Sequence, residues 1–192
     1  VGVGLIPAWG GCKEMLVRHM GEKEHKGGLL GGLMATGGAM PVLKTVFEAV
    51  AMAKVAGSAE EARDMKIVLD NGGITMNRAR VLADAKARCL AMVDGYQPPE
   101  PAVLHLPGGT ARVAMSMALD GFAAVGKATP HDVVICKRLA YVLSGGDTDI
   151  SEPVTEQQLL DLEFEVFMEM VKHPATLARI EHMLNTGKPL RN

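Results

Sequence analysis

Charge of one sign is what this sequence most plainly lacks. Lys and Arg number 20 against 22 Asp and Glu, a net charge of −2 at neutral pH. No basic field is available to draw in nucleic acid or an anionic membrane, and the small cluster Glu22 to Lys26 reads as a solvated turn. Cysteine is also scarce. Cys12, Cys89 and Cys136 are odd in number and far apart, the pattern of reduced intracellular thiols rather than of a disulfide framework. No CxxC, HExxH or Cys/His cluster occurs, so zinc finds no ligand set and no metal is expected. No apolar run reaches the length of about 18 residues that a membrane span needs, since Asp120 and Gly121 interrupt the most apolar stretch, Val113 to Val125. No secretion signal is present either. These absences predict a cytoplasmic protein with no nucleic-acid or membrane partner.

What is present is a globular composition, 48% hydrophobic and 22% charged, in a chain long enough for one core, or one core with an appendage. The stretch of most chemical interest is Val1 to Cys12. It has no initiator Met, which suggests that the reading starts inside something longer. An apolar run ends at Pro7, Ala8 and Trp9 follow, and Gly10 and Gly11 free the backbone before an amphipathic helix over Lys13 to Met20. A helix start of this kind presents N–H groups suited to a carbonyl, a phosphate or a water. A surface turn with flexible glycines fits the same spacing. Pro7, Ala8, Trp9, Gly10 and Gly11 are the candidate substrate-binding residues.

Farther on, the Gly pairs 27–28, 31–32 and 37–38 lack both the GxGxxG and the GKS/T context of a nucleotide loop and read as a connector. Pro41 opens a helix with Val42, Val46, Phe47, Ala49, Val50 and Ala53 on its core face, ended by Gly57. Ser58 and Glu61 form a capping box. Ile67 to Leu69 is a short strand candidate, and Asp70 to Gly73 a turn. Asn77 to Val93 is a helix with Val81, Leu82, Ala85, Cys89, Met92 and Val93 on one side. Arg78, Arg80, Lys86 and Arg88 lie opposite, a face that suits a CoA phosphate but is more commonly solvated. The prolines of Tyr96 to Pro101 rule out helix interior there. Ala102 to Leu106 is a second strand candidate. The last third is helical: Ala111 to Val125; a helix capped by Thr129 with Pro130 in its first turn and a surface His131; one capped by Thr155 and Gln158; and Ala175 to Leu184. Asp147, Asp149 and Glu152 read as caps and a turn, because EF-hand spacing is absent.

Several blocks of text occur here in a telling order: GLIPAWGGCKE at the start, VFEAVAMAKV at Val46 to Val55, SAEEAR at Ser58 to Arg63, ITMNR at Ile74 to Arg78, LADAKA at Leu82 to Ala87, GYQPPEP at Gly95 to Pro101, and RIEHMLNTGKPLRN at Arg179 to Asn192. Together they resemble the crotonase-like part of 3-hydroxyacyl-CoA dehydrogenase/enoyl-CoA hydratase enzymes. The resemblance implies a mainly α chain with one or two short strands, the C-terminal helical portion of a crotonase-like α/β fold. It implies a core part at 1–95, a linker at 96–109 and a helical extension at 110–192. It also implies an acyl-CoA substrate and, in the intact parent, NAD. The Ala8 N–H matches the group that helps hold the reacting water, while Ala8 and Trp9 depart from the family's small residues, so that Trp9 would narrow the pocket. The catalytic carboxylates and the oxyanion-hole donors would lie before Val1, in a missing N-terminal part. The chain alone is then expected to be an inactive piece of a fatty-acid β-oxidation enzyme that packs in a homo-oligomer. The alternative is a helical scaffold or oligomerisation module without catalysis.

Overall fold

Thr129 begins the helix around which the fold is built. Its hydroxyl accepts the Asp132 N–H, and the Asp132 carboxylate accepts the Thr129 N–H at 2.9 Å, a reciprocal capping box with Pro130 in the first turn. The computed structural model describes residues 1–21 and 38–192. The Gly-pair connector lies almost entirely outside the described residues.

The described residues divide into two units. The first comprises residues 1–54 and 102–192. It contains helix α1 (11–21), α2 (Met40–Ala51), strand β1 (Val103–His105), α5 (Gly109–Ala124), α6 (Pro130–Leu143), β2 (Pro153–Thr155), α7 (Glu156–Met170) and α8 (Pro174–Thr186). Helix α6 packs against α2, α5 and α7. Its Ile135, Leu139, Val142 and Leu143 meet Leu16 of α1, Leu43, Val46 and Phe47 of α2, Met115 and Leu119 of α5, and Leu159, Val166 and Met170 of α7 in one core. The two strands are antiparallel, with Leu104 opposite Val154, both buried. So short a pair is marginal alone, and the Ala102 N–H donating to Glu156 at 2.6 Å ties it to the start of α7. Gly108, at φ 51°, lets the chain pass Thr148 so closely that a Cβ would sit 1.7 Å from the Thr148 carbonyl oxygen.

The second unit, 55–101, contains α3 (Ala59–Asp64), a single 3₁₀ turn at Arg78–Arg80 and α4 (Val81–Ala91). Ser58 caps α3, but Glu61 reaches past it to the Gly57 N–H at 2.6 Å. The sequence expectation of a strand at Ile67 to Leu69 is corrected here. Lys66 turns into the left-handed region at φ 58° and the chain folds back in turns, with the Ile67 and Val68 N–H groups donating to the Ala62 carbonyl at the end of α3. The helix expected over Asn77 to Val93 is divided, the 3₁₀ turn at Arg78–Arg80 leading into the shorter α4. Likewise α2 stops at Ala51, before Gly57, with Ala53 exposed at φ 48°.

His131 is not the surface residue its place in a first turn suggested. It is buried and stacks on His173 with ring centroids 4.6 Å apart. The Thr176 hydroxyl has one proton, which it donates to the Gly4 carbonyl at 2.8 Å. It therefore accepts from His131 Nε2, also at 2.8 Å, which places the imidazole proton on Nε2 and leaves Nδ1 bare. Burial, with Arg179 and His173 nearby, pushes the His131 pKa below its ordinary value, and Asp132 only partly opposes this. As pH falls from about 6.5, the unfolded chain takes up a proton that folded His131 refuses. The His131 contribution is thus complete above that value and lost on acidification towards the lowered folded pKa. His131→Gln keeps a donor for Thr176, and urea unfolding between pH 7 and 5 is expected to show a shallower loss of stability than in the unchanged protein.

Candidate functional site

Gly10 and Gly11 start α1, as the sequence suggests, but the N–H groups there are not all free. Glu163, projecting from the middle of α7, caps the helix from 150 residues away. Its Oε2 accepts the Gly10 N–H at 2.8 Å and its Oε1 accepts the Lys13 N–H at 2.7 Å. These are the donors at the cap and third helical positions, the same pair that a local capping box serves. Burial pushes the Glu163 carboxyl above the ordinary carboxylate range, against the pull of the Lys13, Gly10 and Cys12 N–H groups. A raised carboxyl beside a cleft is a usual mark of a general acid or base. Here both oxygens already hold backbone donors, and the group acts as a cap. Sequence reasoning missed it, although an acid in the apolar run Leu162-Glu163-Phe164 was a signal that could have found it.

The turn itself is stapled on the other side. The Cys12 thiol lies 3.4 Å from the Pro7 carbonyl oxygen, to which it donates, and a Cβ on Gly11 would come within 2.7 Å of Pro7 Cβ. Burial pushes the Cys12 thiol well above its ordinary pKa, so it is no nucleophile at neutral pH. Lys13 reaches Glu156 at 2.8 Å and also pairs with Glu14. The Ala8 N–H has no hydrogen-bond partner among the described residues.

Ala8 and Trp9 form one wall of a groove of about 330 Å³, with Leu160, Phe164, Phe167 and Met168 opposite and Glu163 at its base. Of the predicted site residues, the structure brings Ala8 and Trp9 into this groove, while Pro7, Gly10 and Gly11 shape the turn behind it. Trp9 stands fully exposed at φ 60°. The left-handed region costs an L-residue about 1–2 kcal/mol, and an indole that buries nothing does not offset it. Trp9→Gly is expected to stabilise the fold by about 1 kcal/mol, seen as a melting point raised by about 3 °C.

A second cavity of about 340 Å³ lies beside Leu119, Phe122, Lys127 and Cys136. Burial pushes the Cys136 thiol up to about 11, so it too is unreactive at neutral pH. Asp147 pairs with Arg112 at 2.8 Å, and Asp149 accepts the Ser151 N–H and hydroxyl, as caps and turns do. On the predicted basic face, Arg80 pairs with Asp84 at 3.1 Å and Arg88 donates to the Asn71 carbonyl.

Among the described residues no group of three or more His, Cys, Asp or Glu side chains is arranged to hold a metal ion. No described helix is long and apolar enough to cross a membrane. The described residues also do not fit a dinucleotide. The two strands are three residues each and antiparallel, so no βαβ unit brings a glycine turn to a pyrophosphate.

Fold and site together define a mainly helical protein with an apolar groove at a helix start that is capped by a distant residue of the same chain. Over all 192 residues the chain is 36% identical to a Bacillus subtilis (strain 168) protein named "Probable 3-hydroxyacyl-CoA dehydrogenase". It spans 23% of that relative's length. No family model matches the chain. No solved structure matches it either.

Proposed function

We propose that these residues are a segment of a two-activity β-oxidation enzyme, a 3-hydroxyacyl-CoA dehydrogenase/enoyl-CoA hydratase. The observation that carries this reading is the 36% identity, running through every residue of the chain, to less than a quarter of the Bacillus subtilis relative. The order of the crotonase-like blocks along the chain supports the hydratase half. In this reading 1–95 belongs to a crotonase-like core, 96–109 is the linker and 110–192 the helical extension.

The segment supplies a wall of the substrate site. The Ala8 N–H, which has no partner among the described residues, is a donor for the reacting water, and the groove of Trp9, Leu160, Phe164, Phe167 and Met168 suits the apolar part of an acyl-CoA. The work of Gly10 and Gly11 is to let the helix begin there. Two carboxylates position the water and move its proton, and backbone donors hold the thioester enolate. These groups, and the NAD site for oxidising the 3-hydroxyacyl-CoA, are assigned to other parts of the enzyme.

The 192 residues alone are therefore expected to hydrate no crotonyl-CoA and to reduce no NAD, while a polypeptide carrying the remainder does both. Trp9 is the single tryptophan, so its fluorescence reports on the groove directly. An acyl-CoA should shift its emission to the blue, and free CoA should do so less. Hydration by a clean preparation of the 192 residues would falsify the assignment of the catalytic groups.

A further inference from the structure

The Pro7–Ala8 peptide is held through its carbonyl oxygen. No cis peptide bond occurs among the described residues, so this bond is trans and its C=O and N–H point in opposite directions. The Pro7 oxygen accepts from the Cys12 thiol at 3.4 Å. The Ala8 N–H is thereby turned away from Cys12, and it has no partner among the described residues.

Three features fix the thiol in this place. Cys12 is the second residue of α1, between Gly10 and Lys13, whose N–H groups Glu163 holds at 2.8 and 2.7 Å. Gly11 lets Pro7 lie against the first turn of the helix, where a Cβ would come within 2.7 Å of Pro7 Cβ. Cys12 itself is fully buried, and burial keeps its thiol protonated at neutral pH, a donor rather than a thiolate. All of these contacts join residues of the first unit.

We infer that Cys12 is a positioning residue: through the Pro7 carbonyl it aims the Ala8 N–H at the water that adds to the enoyl-CoA double bond. The inference rests on the reading of Ala8 as the water donor and deepens it by adding the side chain that sets the donor's direction. A peptide plane without such a bond rocks about the single bonds that flank it, and a hydrogen bond to its oxygen restrains the N–H as well. Hydrogen bonds joined in a chain also strengthen one another by about 10–30% each, so the Ala8 N–H becomes a better donor. Packing alone gives a different account, in which any small buried apolar side chain would serve as well as the thiol. The two accounts separate because size and donor capacity rank Ala, Ser, Cys and Val differently.

The experiment uses the whole enzyme, the longer polypeptide that carries the catalytic carboxylates, and reads crotonyl-CoA hydration. Cys12→Ala and Cys12→Val both remove the donor, one leaving space and the other filling it. Each is expected to lower kcat about three- to tenfold, the effect of losing one neutral hydrogen bond. KM should change less than about twofold, because the water and not the acyl chain loses its guide. Cys12→Ser is close to alanine in size but keeps an O–H, and its kcat is expected to fall by less than that of either. Leu16→Val, buried one turn further along α1, trims the same core without touching the turn and should leave kcat unchanged. Serine no better than alanine, or valine level with cysteine, would overturn the inference by showing that size decides. A loss confined to KM, or an equal loss in Leu16→Val, would overturn it too. In each of these outcomes the unchanged enzyme still hydrates crotonyl-CoA, and the segment reading stands. A longer polypeptide that hydrates no enoyl-CoA would sink the segment reading itself, and the inference with it.

Discussion

Arg179→Ala is expected to destabilise the protein by about 3–5 kcal/mol, the range for removing one partner of a buried, hydrogen-bonded ion pair. The guanidinium is 2% exposed, and all five of its N–H donors are used. Nε donates to Asn192 Oδ1 at 2.7 Å, one terminal nitrogen to Asp132 at 2.8 Å and to the Val1 carbonyl at 3.3 Å, and the other to the Thr129 hydroxyl at 3.0 Å and the Asn192 carbonyl at 3.3 Å. One side chain of α8 thus holds the start of α6, the first residue of the chain and its tail. Burial works to raise the Asp132 carboxyl, but the Thr129 N–H and the Arg179 guanidinium outweigh it and hold it below its ordinary value. Without Arg179 the carboxylate stays largely buried, with less to hold it. A melting point lower by about 10 °C is the expected reading. Arg179→Lys keeps the charge but not the planar fork and should recover less than half of the loss. A lysine variant as stable as the unchanged protein would show that charge alone suffices and that the five-bond geometry is incidental.

Glu163→Leu is expected to cost about 3–5 kcal/mol, since it leaves the buried Gly10 and Lys13 N–H groups without acceptors at about 1–3 kcal/mol each and adds a branched side chain beneath the groove. Glu163→Gln should cost roughly half as much, because its carbonyl oxygen keeps one of the two bonds and its amide turns a donor towards the other N–H. Urea unfolding measures both. Equal losses for the two variants would mean that shape at this position matters and the capping bonds do not. The same substitutions should loosen the Ala8–Trp9 turn. In the proposed enzyme they would then weaken acyl-CoA binding through the groove wall, without any direct contact to the reacting atoms.

Much of the helical structure was legible because it rests on short-range rules. Thr155 with Gln158 forms the capping box that its spacing predicts, and Thr129 caps α6 as expected, with Asp132 completing a reciprocal box there. Pro174 opens α8, and Gly187 ends it in the left-handed conformation. Val103–His105 is a strand, as the apolar text between prolines suggested. Its partner, Pro153–Thr155, was hidden behind a helix-cap signature that is equally real. The apolar periodicity of α4 was legible for the same reason, since a three- and four-residue spacing sets which side of a helix is apolar.

For the candidate site, sequence determined that a glycine-eased turn after Pro7 starts a helix, which needs only local backbone freedom and the following apolar period. Only the tertiary structure decided who holds that turn. Glu163 lies 153 residues from Gly10, and no periodic pattern encodes a hydrogen bond between such distant groups. The same holds for Arg179 and Asp132, which read as ordinary charges on two helices until packing buries them together, and for His131, whose first-turn position pointed to solvent until Thr176 and His173 closed over it. Local steric and hydrogen-bonding rules act over three or four residues and are written in the text of the chain. Burial depends on what arrives from elsewhere, and it turned these polar side chains into the fold's fasteners.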